Sequence, residues 1–212
     1  MSASTMAAIG VLAEDRWGMF TAAQASGVGV SAPQLSRLVS AGALERMTQG
    51  VYRVVGAPTG EHDMLRATWL ALGGHLKAED GAPRVVAAGT TAAELHGVGD
   101  FYLDLYDFVV PRRRGTRMRG VRLRVRELTR SEITHVDGMA AMTVERMIAD
   151  LVELNQELSL VGDLIAEAHG KGLIASVSGL SSYLQPLARR NRAASGEQLR
   201  KRLFEEAGID DK

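Results

Sequence analysis

Arginine is concentrated in one stretch of this 212-residue chain. Residues 111–130 contain nine arginines and one glutamate, about +8 in charge, although the whole chain has a formal net charge of zero. Residues 143–188 show the opposite balance, with six acids against two bases. Guanidinium groups donate paired hydrogen bonds to phosphate or carboxylate oxygens. Charge separated in this way indicates partners better than the total does, and here it predicts an anionic one.

Within that stretch, residues 121–126 alternate strictly between apolar residues and arginines. The alternation predicts a β-strand whose three arginines stand about 6.5–7 Å apart on one face. Two hypotheses carry equal weight. In the first, the arginine row binds an anionic partner, either phosphate or a carboxylate-rich surface. In the second, the row protects an edge strand from aggregation, and the arginine stems cover apolar surface. The candidate contacts to DNA or a protein partner are Arg112, Arg113, Arg114, Arg117, Arg119, Arg122, Arg124 and Arg126.

A second group of candidates lies on a predicted helix that begins near Ser31. The residues S-A-P-Q from Ser31 match a capping pattern, in which a hydroxyl caps the helix start and the Gln34 amide reaches back. Pro33 is tolerated in the first helical turn, and Ala41-Gly42 provides a glycine stop. Leu35, Leu38 and Val39 form one apolar stripe. The polar residues of this helix therefore face elsewhere.

The neighbouring sequence predicts a frame for this helix. A first helix is expected over residues 6–14, and T-A-A-Q from Thr21 predicts a second capped helix. Two short strands are expected at residues 43–47 and 50–54, joined across 48–50. Two capped helices followed by a hairpin are typical of a winged helix-turn-helix, whose second capped helix enters the DNA major groove.

The DNA-binding candidates are therefore polar residues of the second capped helix and of the hairpin. They are Ser31, Gln34, Ser36, Arg37, Ser40, Arg46, Gln49 and Arg53. Helix-helix-hairpin units also serve as protein-interaction modules, and residues 1–57 carry only four basic against three acidic residues. We favour DNA binding, with interaction alone as the alternative.

The order of residues also resembles a known family. G-M-F-T-A-A-Q-A from Gly18, S-A-P-Q-L-S-R-L-V from Ser31 and G-V-Y-R-V from Gly50 resemble the N-terminal domain of the AbiEi antitoxins of type IV (AbiE) toxin–antitoxin systems. A-A-G-T-T-A-A-E-L-H-G-V from Ala87 and V-D-G-M-A-A-M-T-V-E-R-M-I-A-D-L from Val136 extend the resemblance to about residues 15–170.

This resemblance implies a two-part protein. Its winged helix would repress its own operon by binding inverted repeats in the promoter, and its C-terminal part would counteract a cognate nucleotidyltransferase toxin. Residues 76–84 form a polar insert, and the last forty residues match nothing in the family. The mode of toxin neutralisation therefore stays open.

We predict an α+β fold with two domains. The first is a winged helix-turn-helix in residues 1–57, and the turn-rich A-P-T-G from Ala57 predicts the boundary. The second, in residues 60–212, is an α+β domain with strands within 84–140 and helices within 143–207. Its last helix, near residues 195–207, is amphipathic and could pack on the body, dock on a partner or fray.

The residues for catalysis are not arranged in a recognisable pattern. None of the five histidines forms a helical metal-ligand pair. Asp104, Asp107 and Glu127 lie on neighbouring predicted strands, as in metal-dependent nucleases, but the Glu-x-Lys half of that pattern is missing. We therefore predict no catalytic residue, metal or cofactor. The alternatives are a stand-alone winged-helix regulator with a ligand-sensing or dimerisation domain, and a winged helix fused to a nuclease-like enzyme.

The amino-acid composition predicts the compartment in which the protein acts. The chain has no cysteine, which excludes disulfides and cysteine-based zinc sites. It has no run of about 18 apolar residues and no basic segment before its first apolar stretch. We therefore expect a cytoplasmic protein without a membrane partner. Its oligomeric state stays open, because a dimer, or monomers binding cooperatively to two half-sites, would fit inverted repeats equally well.

Overall fold

The computed structural model describes residues 3–209, in which the polypeptide forms two units that meet in sequence between Arg84 and Val85. We call them the N-terminal unit and the C-terminal unit. Helices and strands are mixed in both, which confirms the predicted α+β class. The predicted boundary at residues 57–60 differs from this division, because it falls inside the N-terminal unit.

From residue 3 onward, the N-terminal unit contains four α-helices and a three-stranded antiparallel sheet of order β1-β3-β2. The helices are α1 (Ala3–Ala13), α2 (Ala22–Gly27), α3 (Ala32–Ser40) and α4 (Asp63–Ala71), and the strands are β1 (Met19–Thr21), β2 (Leu44–Thr48) and β3 (Val51–Val54). Sequence reasoning missed β1, which is only three residues long and pairs Met19 with Arg53. So short a strand has no alternation to detect.

The core of the N-terminal unit joins α1, α3 and the sheet. Ile9, Phe20, Leu35, Leu38 and Leu44 are all buried in one hydrophobic cluster. The apolar stripe predicted for α3 is therefore confirmed at Leu35 and Leu38. Burying such a side chain contributes about 1.5–3 kcal/mol, so this stripe fixes the rotation of α3 about its own axis.

Contacts from α4 explain why the unit continues beyond the hairpin. Asp63 pairs with Arg53 of β3 at 2.5 Å and with Arg66 at 3.1 Å. Trp69 of α4 meets Trp17 edge to face, with ring centroids 6.3 Å apart, and Arg66 lies over the Trp17 ring at 5.2 Å. The turn-rich residues 57–60 therefore form a bend within the unit rather than a linker between domains.

Up to residue 209, the C-terminal unit contains five α-helices, three short 3-10 helices and a mixed five-stranded sheet of order β6-β5-β4-β8-β7. Neighbours β5 and β6 are parallel, as are β4 and β8, while the other pairs are antiparallel. The strands are β4 (Val86–Ala87), β5 (Tyr106–Val110), β6 (Val121–Val125), β7 (Ile133–Val136) and β8 (Met139–Met142). The helices are α5 (Gly89–His96), α6 (Val144–Glu153), α7 (Leu158–Gly170), α8 (Val177–Leu184) and α9 (Gly196–Glu206).

Serine and threonine caps start three of these helices. Thr143 caps α6, Ser176 caps α8 and Ser195 caps α9, each accepting a backbone N–H within the first turn. In the last helix, Leu199 and Leu203 are buried, and α9 packs against α7 and α8. The amphipathic terminal helix therefore packs on its own unit.

Burial makes His96 a pH-sensitive residue of the C-terminal unit. Its Nε2 lies 2.8 Å from the backbone oxygen of Met142, which can only accept, so the neutral ring donates. Desolvation lowers the pKa of His96, outweighing the opposing effects of that hydrogen bond and of Glu145. The unfolded chain therefore binds more protons than the folded chain as the pH falls below about 6.5, and stability falls with it.

We predict that His96→Gln reduces this loss of stability between pH 7.5 and pH 5, because glutamine keeps a donor and does not titrate. Urea midpoints at each pH, followed by far-UV circular dichroism, measure the effect. His169→Gln, at an exposed position of α7, is the matched control. Identical pH profiles for His96→Gln and the wild type would remove His96 as the cause.

Candidate nucleic-acid interface

The outer face of α3 is polar and open to solvent. Ser36, Arg37 and Ser40 are exposed, while Leu35 and Leu38 on the opposite side are buried. This is the division expected of a helix that packs on its own unit with one face and meets a partner with the other. Sequence reasoning placed these side chains together, and the structure brings them onto one surface.

Local hydrogen bonds hold the beginning of this helix. The Gln34 side-chain oxygen accepts from the backbone N–H of Ser31 at 2.8 Å and from its hydroxyl at 2.8 Å. The capping arrangement therefore occupies the carbonyl end of Gln34 and leaves its NH₂ group as the part that can donate outward. Arg37 Nε donates to the Pro33 backbone oxygen at 3.4 Å. This hydrogen bond restrains the side chain and leaves the two terminal guanidinium nitrogens, Nη1 and Nη2, pointing away from it.

The hairpin supplies further polar groups. Arg46 on β2 and Gln49 at the turn are exposed. Gly50 has φ +75°, a left-handed conformation that glycine adopts without strain, and it lets the chain reverse between β2 and β3.

Arg53 differs from the other hairpin candidates. Its guanidinium lies 2.6 Å from Glu45 and 2.5 Å from Asp63, and its side chain is 12% exposed. The hydrogen bond to Glu45 raises the pKa of Arg53 against the opposing effect of its burial. Since both carboxylates are internal partners, we leave Arg53 out of the proposed DNA contacts.

The arginine row of β6 faces carboxylates of its own unit. Arg122 pairs with Asp107 at 2.8 Å, and Arg124 Nε with Asp107 at 3.0 Å. Arg124 also pairs with Asp150 of α6. Arg126 pairs with Glu153 at 2.5 Å. The row therefore has an intramolecular partner, and Arg122, Arg124 and Arg126 leave the set of proposed outside contacts.

The alternative hypothesis for the arginine row placed it on an edge strand. That position is confirmed, because β6 lies at one end of the strand order of the sheet. Arg124 and Arg126, however, reach acids of α6, while Arg122 pairs with Asp107 of β5. Sequence reasoning could not find this arrangement from the row alone. A signal was present in α6, where Asp150 sits among residues of its buried stretch, such as Met147 and Leu151, and so needs a partner.

Asp107 and Asp150 are the centre of this network. Both have fully buried side chains. Asp150 also accepts the Gly89 backbone N–H at 3.1 Å, at the start of α5. Desolvation opposes the charge of Arg124, but its hydrogen bonds to Asp150 and Asp107 outweigh burial and raise its pKa. The network is a set of charge-assisted hydrogen bonds between the sheet and α6.

The same contacts bear on the nuclease hypothesis. The carboxylate oxygens of Asp107 accept hydrogen bonds from Arg122 and Arg124, while Asp104 and Glu127 are exposed. Within residues 3–209, no group of three or more histidine and acidic side chains is arranged to hold a metal ion. Arginines paired around Asp107, the buried acid of these three, are unlike a cation site.

The remaining predicted arginines lie between β5 and β6 and are exposed. They are Arg112, Arg113, Arg114, Arg117 and Arg119. No acid interrupts residues 111–120, so this connection is an exposed and strongly positive loop.

The N-terminal unit thus belongs to the winged helix-turn-helix class. Residues 12–55 match the model of a family described as "Transcriptional regulator, AbiEi antitoxin". This match confirms the AbiEi resemblance over that part of the chain and supports an antitoxin or regulator role. A search of curated proteins found no match.

Among solved structures, the fold is similar to the crystal structure of the RV2827C protein from Mycobacterium tuberculosis. The TM-score is 0.57 at 16% sequence identity, and the alignment covers 99% of this chain and 79% of the other. At that identity the likeness concerns the fold. Among the described residues, no helix is both long and apolar enough to cross a membrane.

We predict that Asp150→Asn destabilises the C-terminal unit by about 3 kcal/mol, because it leaves the Arg124 guanidinium without its main carboxylate. Hydrogen exchange of α6 amides, followed by mass spectrometry in increasing urea, measures the change. Asp163→Asn removes the same charge at an exposed position of α7 and should change stability by less than about 0.5 kcal/mol. Equal effects of the two substitutions would contradict the role of the network.

Proposed function

We propose that this chain is an antitoxin that also represses its own operon by binding inverted repeats in the promoter. The observation that carries the DNA-binding half is the exposed polar face of α3 in a winged helix, within the segment that matches the AbiEi regulators. In this proposal α3 lies in the major groove of each half-site. The protein then acts in the cytoplasm, where that DNA is found.

Each exposed side chain has a distinct role in the proposed complex. Arg37 can donate two hydrogen bonds to one guanine edge or to a phosphate. Ser36 and Ser40 lie along the same exposed face and donate to bases or to the backbone. Arg46 and Gln49 of the hairpin contact phosphates and set the register of the helix on the duplex.

The antitoxin half of the proposal concerns the C-terminal unit. The matched family is described as an antitoxin, and we propose that the cognate partner is a nucleotidyltransferase toxin. Neutralisation would depend on this unit and not on the reading face of α3. The two activities should therefore separate under mutation.

We predict that Arg37→Ala weakens binding to the DNA upstream of its own reading frame by about 1–3 kcal/mol, the usual value of one good base contact. Fluorescence anisotropy with the full chain and a labelled duplex measures it at a fixed salt concentration. Lys77→Ala removes an exposed cation elsewhere in the N-terminal unit and is the control. Unchanged affinity for Arg37→Ala would exclude Arg37 from the contact.

We further predict that Arg37→Ala retains antitoxin activity while losing repression. The test expresses the nucleotidyltransferase from a neighbouring reading frame together with either form of the chain, each from an unrelated promoter. Restored growth with both forms supports two separable activities. Repression without rescue by the wild type would instead indicate a stand-alone winged-helix regulator.

A further inference from the structure

The side-chain amide of Gln34 is held in one orientation at the beginning of α3. Its oxygen, Oε1, accepts hydrogen bonds from both the backbone N–H and the hydroxyl of Ser31, each at 2.8 Å. A backbone N–H can only donate, so the atom that faces it is the oxygen of the amide and not the nitrogen. The NH₂ group is therefore the end of the side chain that does not bind Ser31.

The two contacts with Ser31 use the accepting capacity of the amide. A carbonyl oxygen has two lone pairs, and the two donors of Ser31 engage both of them. The NH₂ group, in contrast, donates to no protein group within residues 3–209. The side chain is half-buried, so it still reaches the surface of α3. Gln34 is therefore available to another molecule as a donor and not as an acceptor.

This restriction matters because base edges in the major groove differ in their donors and acceptors. Guanine presents two acceptors, N7 and O6, whereas adenine presents the acceptor N7 beside the N6 donor. A glutamine with both ends free reads adenine, because its oxygen accepts from N6 while its nitrogen donates to N7. Gln34 cannot form that pair, since its oxygen is already engaged. Its NH₂ group matches an edge that offers acceptors alone, and guanine is that edge.

We propose that Gln34 is a specificity-determining residue of α3 and that it selects guanine at one base pair of each half-site. The inference deepens the proposed function and rests on it, because it requires α3 to lie in the major groove. Gln34 is the third residue of α3, and the N-terminal residues of a recognition helix are those that contact base edges. Arg37 follows three positions later on the same helix, and its guanidinium also donates without accepting. Both side chains therefore favour guanine.

The beginning of α2 provides a matched control. Gln24 Oε1 accepts from the backbone N–H of Thr21 at 2.8 Å and from its hydroxyl at 3.0 Å, the same arrangement on the other capped helix. In a helix-turn-helix that first helix crosses the DNA backbone and does not enter the groove.

Glutamate can replace glutamine in either cap. One carboxylate oxygen accepts the hydrogen bonds of the cap, as it does in the Ser/Thr-x-x-Glu pattern. The second oxygen then takes the place of the NH₂ group, so the substitution keeps the helix start and turns the outward donor into an acceptor.

The test selects binding sequences from a library of randomised duplexes with the full chain as wild type, Gln34→Glu and Gln24→Glu. The wild type should prefer guanine at the base pair concerned by at least about fivefold, the factor expected from one hydrogen bond between neutral groups. Gln34→Glu should change that preference to cytosine, whose N4 group donates to a carboxylate, and leave the other positions unchanged. Gln24→Glu should select the wild-type sequence, with a lower affinity because of its added negative charge.

Gln34→Met keeps the test decisive if the carboxylate abolishes binding, because methionine carries neither a donor nor a charge. This variant should bind without a preference for guanine at that base pair, and thermal melts followed by circular dichroism verify that each variant is folded. A guanine preference retained at every position by the Gln34 variants, or adenine as the wild-type base at the affected position, would overturn this inference and leave the proposed reading by α3 in place. A wild type that selects no sequence would overturn that reading, and the inference with it.

Discussion

Burial of Leu35 and Leu38 decides which side chains of α3 can meet another molecule. Because these two residues are committed to the core of the N-terminal unit, the helix cannot rotate, and Ser36, Arg37 and Ser40 must face outward. The hydrogen bonds between Ser31 and Gln34 fix where the helix begins. An exposed polar face is thus produced by apolar packing on one side and by capping at one end.

The C-terminal unit depends on a different interaction. Asp107 and Asp150 are fully buried carboxylates, and such groups are stable only when paired or hydrogen-bonded. The arginines of β6 satisfy that requirement and connect the sheet to α6. They are therefore committed to the fold, whereas the arginines of the loop before β6 remain on the surface.

The sequence predicted the winged helix well because its signals are local. Capping patterns, the apolar stripe and the glycine stop of α3 each depend on residues within one turn or two of each other. The role of α4 and the boundary at Arg84 could not be predicted this way, because they depend on the Arg53–Asp63 pair and on the meeting of Trp17 with Trp69. The partners of Arg124 are equally non-local, since Asp150 lies 26 residues further along the chain.

The same distinction applies to the candidate site. The exposure of Ser36, Arg37 and Ser40 on α3 was predictable from the apolar stripe, whereas the internal pairing of Arg53 was not. Spacing identifies which residues share a face, but it does not reveal whether an acid from another element already occupies their hydrogen bonds. A charged residue counts as a binding candidate only after that internal competition has been resolved.

The central claim is that α3 reads DNA, and the absence of cysteine makes a direct test simple. A single cysteine at Ser36, carrying an iron chelate that cleaves nearby DNA, would be the only labelled position in the chain. Ser159→Cys, at an exposed position of α7, is the control. We predict localised cleavage at symmetric positions in the upstream duplex from Ser36→Cys and none from the control. Cleavage from Ser159→Cys alone, or from neither position on a bound duplex, would contradict the account.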